Sequence, residues 1–212
     1  LVNLANPDKQ KFHLSKLSLV NYLDFANKIN ADGVIFHTGT FKDYKDDKDG
    51  YERVIYGINW IFENVEVKDR KLLLECAAGA GGRVIGDHME ELKIIYDGIK
   101  EENKSKVGFC LDTQHMFASG YDIVNNLENV VGDIKNILGL DKVKAVHFND
   151  SKVDFDSNKD RHEDLGIGKI GEKALTTFLN HVDLKDKSFI METPSLKNVD
   201  GAKTEVRKLK EW

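Results

Sequence analysis

Five short apolar runs recur along this chain at intervals that leave room for a helix between each pair. They are GVIFH (33–37), KLLLEC (71–76), VGFCLD (107–112), VKAVHFND (143–150) and SFIMET (188–193). Runs this short, rich in branched and aromatic residues, read as strands. The segments between them carry helical periodicity instead. GYERVIYGINWIFENV places Val54, Ile58, Ile61 and Phe62 on one face, and HMEELKIIYDGIKEE does the same with Met89, Leu92, Ile95, Tyr96 and Ile99. Continuous apolar strands alternating with amphipathic helices specify an α/β chain, with a parallel sheet covered on its outer side. No Pro/Gly/Ser-rich linker divides the 212 residues, so one domain over 1–212 is expected; KDYKDDKDG (42–50) reads as a solvated loop.

Composition narrows the function classes. With 32% charged residues, 2 Pro and no run of 18 apolar residues, neither a membrane span nor long disorder is expected. No basic stretch followed by an apolar one opens the chain, so a cytoplasmic setting is the expectation. Cys76 and Cys110 can build neither a disulfide scaffold nor a CxxC zinc site. On strands, Cys76 faces away from Glu75 while Cys110 shares a face with Asp112, so no bridge between them is expected. The formal charge of -5 argues against a polyanionic partner unless cations are bound; three divalent ions would add 6 and bring it to about +1.

The strands share a second property: each ends, or nearly ends, on a side chain that can ligate a metal. These are His37, Glu75, Asp112, His147 and Glu192. In a parallel barrel the carboxyl ends of all strands converge on one face. A single strand-end His or Asp is most often a helix cap or a satisfied polar residue. Five ionisable groups aimed at one closed space would repel or stay unsatisfied without a cation. His115 lies three residues past Asp112 in LDTQH, and NKDRHEDLGIGKIG adds Asp160 and His162, with Gly166, Gly168 and Gly171 shaping the approach to the next helix. Four His and four carboxylates suit zinc or manganese rather than a thiolate site. Eight ligands exceed one ion, so more than one metal is implied.

The succession FHTGTF, LECAAGAGG, LDTQHMFASGYD, VHFNDSK, DRHEDLGIGKIG and METP resembles the endonuclease IV family of abasic-site DNA repair nucleases, from Leu1 to about Trp212. The resemblance implies a (β/α)8 TIM barrel holding three zinc ions, with manganese an option at one site. It casts Glu75 as the carboxylate bridging the first two ions and fixing the nucleophile. His37 would sit on the first ion, Asp112, His147 and Glu192 on the second, and His115, Asp160 and His162 on the third. The implied reaction is hydrolysis 5′ to an abasic sugar in double-stranded DNA, leaving a 3′-hydroxyl, with trimming of blocked 3′ ends. A hydroxide held between metals is a nucleophile near neutral pH, because coordination lowers the water pKa to about 7. The chain would act as a monomer without a membrane partner. Arg83, in the glycine-rich loop AAGAGGRVIG, and Lys152 and Arg161 are the phosphate-contact candidates. That loop lacks the P-loop and GxGxxG registers and reads as a mobile loop beside the metal pocket. His13, His88 and His181 read as surface or capping residues.

Departures from the pattern are specific. Family members carry a further first-site His, followed by a Tyr, upstream of the position matching Leu1. The five strands look like the last five of the barrel, so its first three β/α units are expected to lie in roughly 70 residues upstream. A five-stranded piece would expose strand edges and apolar surface. Cys76, Ala77 and Ala80 replace a more polar loop, and Gln114 stands where the family has Cys. Two alternatives remain: a divalent-metal sugar isomerase or epimerase of the xylose-isomerase-like barrels, which would use Glu75, Asp112, His147 and Glu192, and a noncatalytic zinc- or DNA-binding remnant. The isomerase has no need of His37, His115, Asp160 or His162.

Overall fold

The computed structural model describes residues 2–212; Leu1, where the resemblance begins, lies outside them. The chain forms two compact units, Leu1–Cys76 with Gly82–Cys110, and Ala77–Gly81 with Leu111–Trp212.

In the first unit, helix α1 (Lys9–Ile29) leads to β1 (Gly33–Phe36), α2 (Asp47–Asn64), β2 (Lys71–Glu75), α3 (Met89–Gly98), α4 (Glu101–Lys104) and β3 (Val107–Asp112), whose last two residues belong to the second unit. Strands β1 and β2 are parallel, with Gly33 opposite Lys71, and β2 and β3 are parallel, with Leu72 opposite Val107 and Glu75 opposite Cys110. The apolar faces read from the periodicity are buried: Val54, Ile58, Ile61 and Phe62 on α2, and Met89, Leu92 and Ile95 on α3. The segment 88–102, expected as one helix, is broken. Ile99 is extended, and Lys100 donates its N–H to Oδ1 of Asn59 at 3.1 Å. Gly98 explains how closely α3 approaches α2, since a Cβ there would lie 2.4 Å from Cδ1 of Ile55. Cys76 and Cys110 are both buried and form no disulfide.

The second unit contains α5 (Thr113–Ala118), α6 (Leu127–Asp133) running into a π-helical turn at Ile134–Leu138, β4 (Val143–His147), β5 (Asp150–Ser151), β6 (His162–Glu163), α7 (Gly171–Leu179), β7 (Ser188–Ile190), a 3-10 turn at Pro194–Lys197, and α8 (Val199–Glu211). Strands β4 and β7 are parallel, with His147 opposite Ile190, and β5 and β6 pair antiparallel, with Ser151 opposite His162. Phe148 and Phe178 are fully buried and pack at 6.5 Å between ring centroids.

Strands β4 and β7 are shorter than their apolar runs. Phe148 still donates to the carbonyl of Ile190 at 2.7 Å, but Asn149 and Asp150 then turn to bind loops, and Pro194 has no N–H to extend a ladder. Leu14, Tyr22, Phe25 and Ile29 of α1 are more than half exposed. Among the described residues no helix is long and apolar enough to cross a membrane.

Candidate metal centre

In the first unit, His37 follows β1 directly and Glu75 ends β2. The His37 ring is half exposed, Glu75 is buried, and Nε2 of His37 lies 3.5 Å from Oε2 of Glu75. Arg83 stands in the same unit with φ 52, after Gly81 and Gly82 at φ 82 and 70. Its guanidinium pairs with Asp47 and donates to the carbonyl of Tyr44 at 2.8 Å.

The second unit gathers the other six candidate ligands. Asp112, the last residue of β3, is wholly buried and also caps α5: its Oδ1 accepts from the backbone N–H of His115 at 3.0 Å. The N-cap reading and the ligand reading of Asp112 are therefore compatible, because one oxygen caps the helix while the other faces the imidazoles. Its Oδ2 lies 3.7 Å from Nε2 of His162, 3.9 Å from Nδ1 of His147 and 4.0 Å from Nδ1 of His115. Asp160 places Oδ1 3.5 Å from Nε2 of both His115 and His162, and Nδ1 of His147 is 3.2 Å from Oε2 of Glu192.

Two overlapping groups result: His115, Asp160 and His162 with Asp112 behind them, and Asp112, His147 and Glu192. The ligand atoms of Asp112, His115 and His162 all lie within 4.8 Å of one another. Nε2 of His162 is buried and makes no hydrogen bond, although two carboxylates face it. A buried polar atom without a hydrogen bond calls for an unseen partner such as an ion. With only nitrogen and oxygen donors, this set fits a divalent cation of the zinc or manganese type.

Asn149 and Asp150 brace the candidate ligands, and the sequence pattern assigns neither a role. Asn149 is wholly buried; its Nδ2 donates to Oδ2 of Asp112 at 2.8 Å, and its Oδ1 accepts from the backbone N–H of Glu192 at 2.8 Å. Asp150, equally buried, accepts from the backbone N–H groups of Gly166, Gly168, Ile170 and Gly171. That fixes the DLGIGK loop, and the β5–β6 pairing next to Asp150 carries His162. Lys152 and Arg161 are exposed on this pair. Lys152 Nζ is 3.9 Å from Glu163, and Arg161 donates to the carbonyl of Asp160. The remaining histidines lie outside the cluster. His13 stacks edge-on against Trp60, His88 is the N-cap residue of α3, and His181 accepts the N–H of Asp183 at 3.2 Å.

Residues 1–212 match the family described as a xylose isomerase-like TIM barrel. A Halothermothrix orenii protein named as a probable endonuclease 4 is 41% identical over 202 residues, which cover 94% of this chain and 71% of that protein. The chain belongs to the endonuclease IV family. The crystal structure of endonuclease IV from Thermus thermophilus superposes with a TM-score of 0.85 at 31% identity, covering 100% of this chain and 72% of that one. A Caenorhabditis elegans apurinic-apyrimidinic endonuclease is 36% identical over 196 residues, or 92% of this chain and 48% of its own length. The α/β reading and the TIM-barrel fold therefore hold, and the strand-end histidines and acids belong to an endonuclease IV family chain.

Proposed function

We propose that this chain carries the metal-binding machinery of a DNA repair endonuclease that hydrolyses the phosphodiester 5′ to an abasic site, leaves a 3′-hydroxyl and trims blocked 3′ ends. The names of its relatives and the donor chemistry support this reading. The observation that carries it is the grouping of Asp160 and His162 with His115 and Asp112, since a barrel isomerase has no use for that pair.

Three zinc ions fit the ligand inventory. His115, Asp160 and His162 would hold one, and Asp112, His147 and Glu192 another, in line with the two groups of the second unit. His37 and Glu75, adjacent in the first unit, would serve the remaining ion. Zinc, when bound, would supply positive charge at the site and lower the pKa of a bound water to about 7. The chain's own side chains then bind and orient: Lys152 and Arg161 offer exposed cations to the backbone phosphates. An abasic nucleotide suits extrusion from the duplex because no base must be unstacked.

The test is incubation of the zinc-loaded chain with a duplex carrying one abasic-site analogue, alongside a count of metal per chain. A nick 5′ to the analogue with three zincs is the expected result. A folded, three-zinc protein that leaves the duplex intact would overturn the assignment.

A further inference from the structure

We infer that Gln114 is a positioning residue that sets the Asp160–His162 ligand pair; the inference rests on the metal-centre reading above and deepens it. Gln114 is wholly buried in the first turn of α5, two residues past Asp112. Its side-chain amide grips the backbone on both sides of Asp160. Nε2 donates to the carbonyl of Lys159 at 3.0 Å, and Oε1 accepts the N–H of Arg161 at 3.3 Å. Nε2 also lies 3.4 Å from Oγ of Ser151, on the strand paired with His162.

The loop that carries Asp160 is held by successive bonds from α5. Asp156 and Asn158 stand at φ 55 and 53, a region that non-glycine residues enter at a cost. The C-terminal part of α5 holds those two positions through backbone bonds, from Asp156 to Phe117 at 3.1 Å and from Asn158 to Ala118 at 2.8 Å. At positions 159 and 161, next to the acid, Gln114 contributes the only side-chain hydrogen bonds to the backbone among the described residues. Asp160 itself has a half-exposed side chain and lies at 3.5 Å from both imidazoles. A shift of its backbone by a fraction of an ångström would unmatch it from His115 and His162, and bond lengths in a zinc site tolerate only about 0.2 Å.

The chemistry is specific to glutamine at this reach. Glutamate keeps the acceptor for Arg161 but loses the donor for Lys159, and buries a charge. Methionine fills the space and offers neither bond. The experiment compares wild type, Gln114→Met and Gln114→Glu as full chains, with two readouts. Hydrogen exchange of the metal-free proteins should show the Arg161 amide losing protection in Gln114→Met and retaining more of it in Gln114→Glu. Zinc competition with a chelator should show one ion weakened by about 10- to 100-fold in Gln114→Met, with the others unchanged. A general packing role would instead lower the melting temperature and leave the relative zinc affinities alone. Unchanged Arg161 exchange, or unchanged zinc binding with faster exchange, overturns the positioning role. A wild-type chain that binds no zinc overturns the metal-centre reading together with it, whereas a variant-specific null overturns this inference alone.

Discussion

The side-chain amide of Asn149 donates to Oδ2 of Asp112 at 2.8 Å, and both residues are excluded from solvent. The same amide accepts from the backbone of Glu192, so a single side chain fixes two of the candidate ligands. Its own backbone is locked by Thr113, whose hydroxyl donates to the Asn149 carbonyl at 2.6 Å and accepts its N–H at 2.9 Å. Groups that orient ligands in this way are worth about 10- to 100-fold in metal affinity. Asn149→Ala is expected to weaken one zinc by that factor, read by chelator competition, while the far-ultraviolet circular dichroism stays that of wild type. Full zinc affinity in the variant would mean that Asp112 and Glu192 hold their places without it.

Gly168 sits against Asp150 with no room for a side chain. A Cβ there would be 2.4 Å from Oδ1 of Asp150 and 2.5 Å from the carbonyl of Ser151. Neither neighbour can retreat, since Asp150 is held by four backbone N–H groups of the same loop and Ser151 by the N–H of Lys169 at 2.7 Å. Gly168→Ala should cost about 1–3 kcal/mol, the usual range for overpacking. Denaturant melts of the metal-free protein check this, and a loss well below 1 kcal/mol would show that the loop yields.

The sequence made the fold legible because its two periods were clean. The apolar runs at 33, 71, 107 and 143 became parallel strands, and Val54, Ile58 and Ile61 turned inward as their spacing required. The candidate ligands stood out for a different reason: strand-end position is a topological property, and it singled out His37, Glu75, Asp112, His147 and Glu192. Asn149 and Asp150 were quoted within VHFNDSK but drew no role, because their work is done through amide and carboxylate bonds to distant backbone. Such bonds leave no periodic trace. The break at Gly98–Lys100 was hidden for a similar reason, as it depends on Asn59, 41 residues away.

Glu91 makes stability depend on pH in the first unit. Its Oε1 accepts from the hydroxyl of Tyr51 at 3.0 Å and its Oε2 from the N–H of Gly86 at 2.7 Å. Burial pushes its carboxyl up to about 7, against the pull of the Gly86 N–H bond and with the help of the Asp87 charge; burial and Glu91 likewise raise the Tyr51 hydroxyl. The native state therefore holds this proton more tightly than the unfolded chain, whose ordinary value is 4.5. Stability from this group is complete below about pH 4.5 and is lost as the pH rises towards 7 and through it. Glu91→Gln cannot ionise, so its melting temperature should fall less than that of wild type between pH 5 and 8. Parallel profiles for the two proteins would remove Glu91 as the cause.

The three basic candidates for DNA contact differ in how far their charge is already committed. Arg83 spends its guanidinium on Asp47 and on the carbonyl of Tyr44. Among the described residues the Lys152 ammonium has a 3.9 Å approach to Glu163, and the Arg161 guanidinium donates to the carbonyl of its neighbour Asp160. Each cation that neutralises a phosphate releases a counterion, and removing it lowers the slope of log affinity against log salt by about 1. Lys152→Ala and Arg161→Ala should each reduce the slope by about that amount on a labelled duplex with a cleavage-resistant abasic analogue, followed by fluorescence anisotropy. They should weaken undamaged duplex by a similar factor, because phosphate contacts carry no lesion information. Arg83→Ala should change the slope less, since its charge is balanced by Asp47. A full unit lost on removing Arg83, with none lost at Lys152 or Arg161, would move the phosphate track from the β5–β6 pair to the glycine-rich loop.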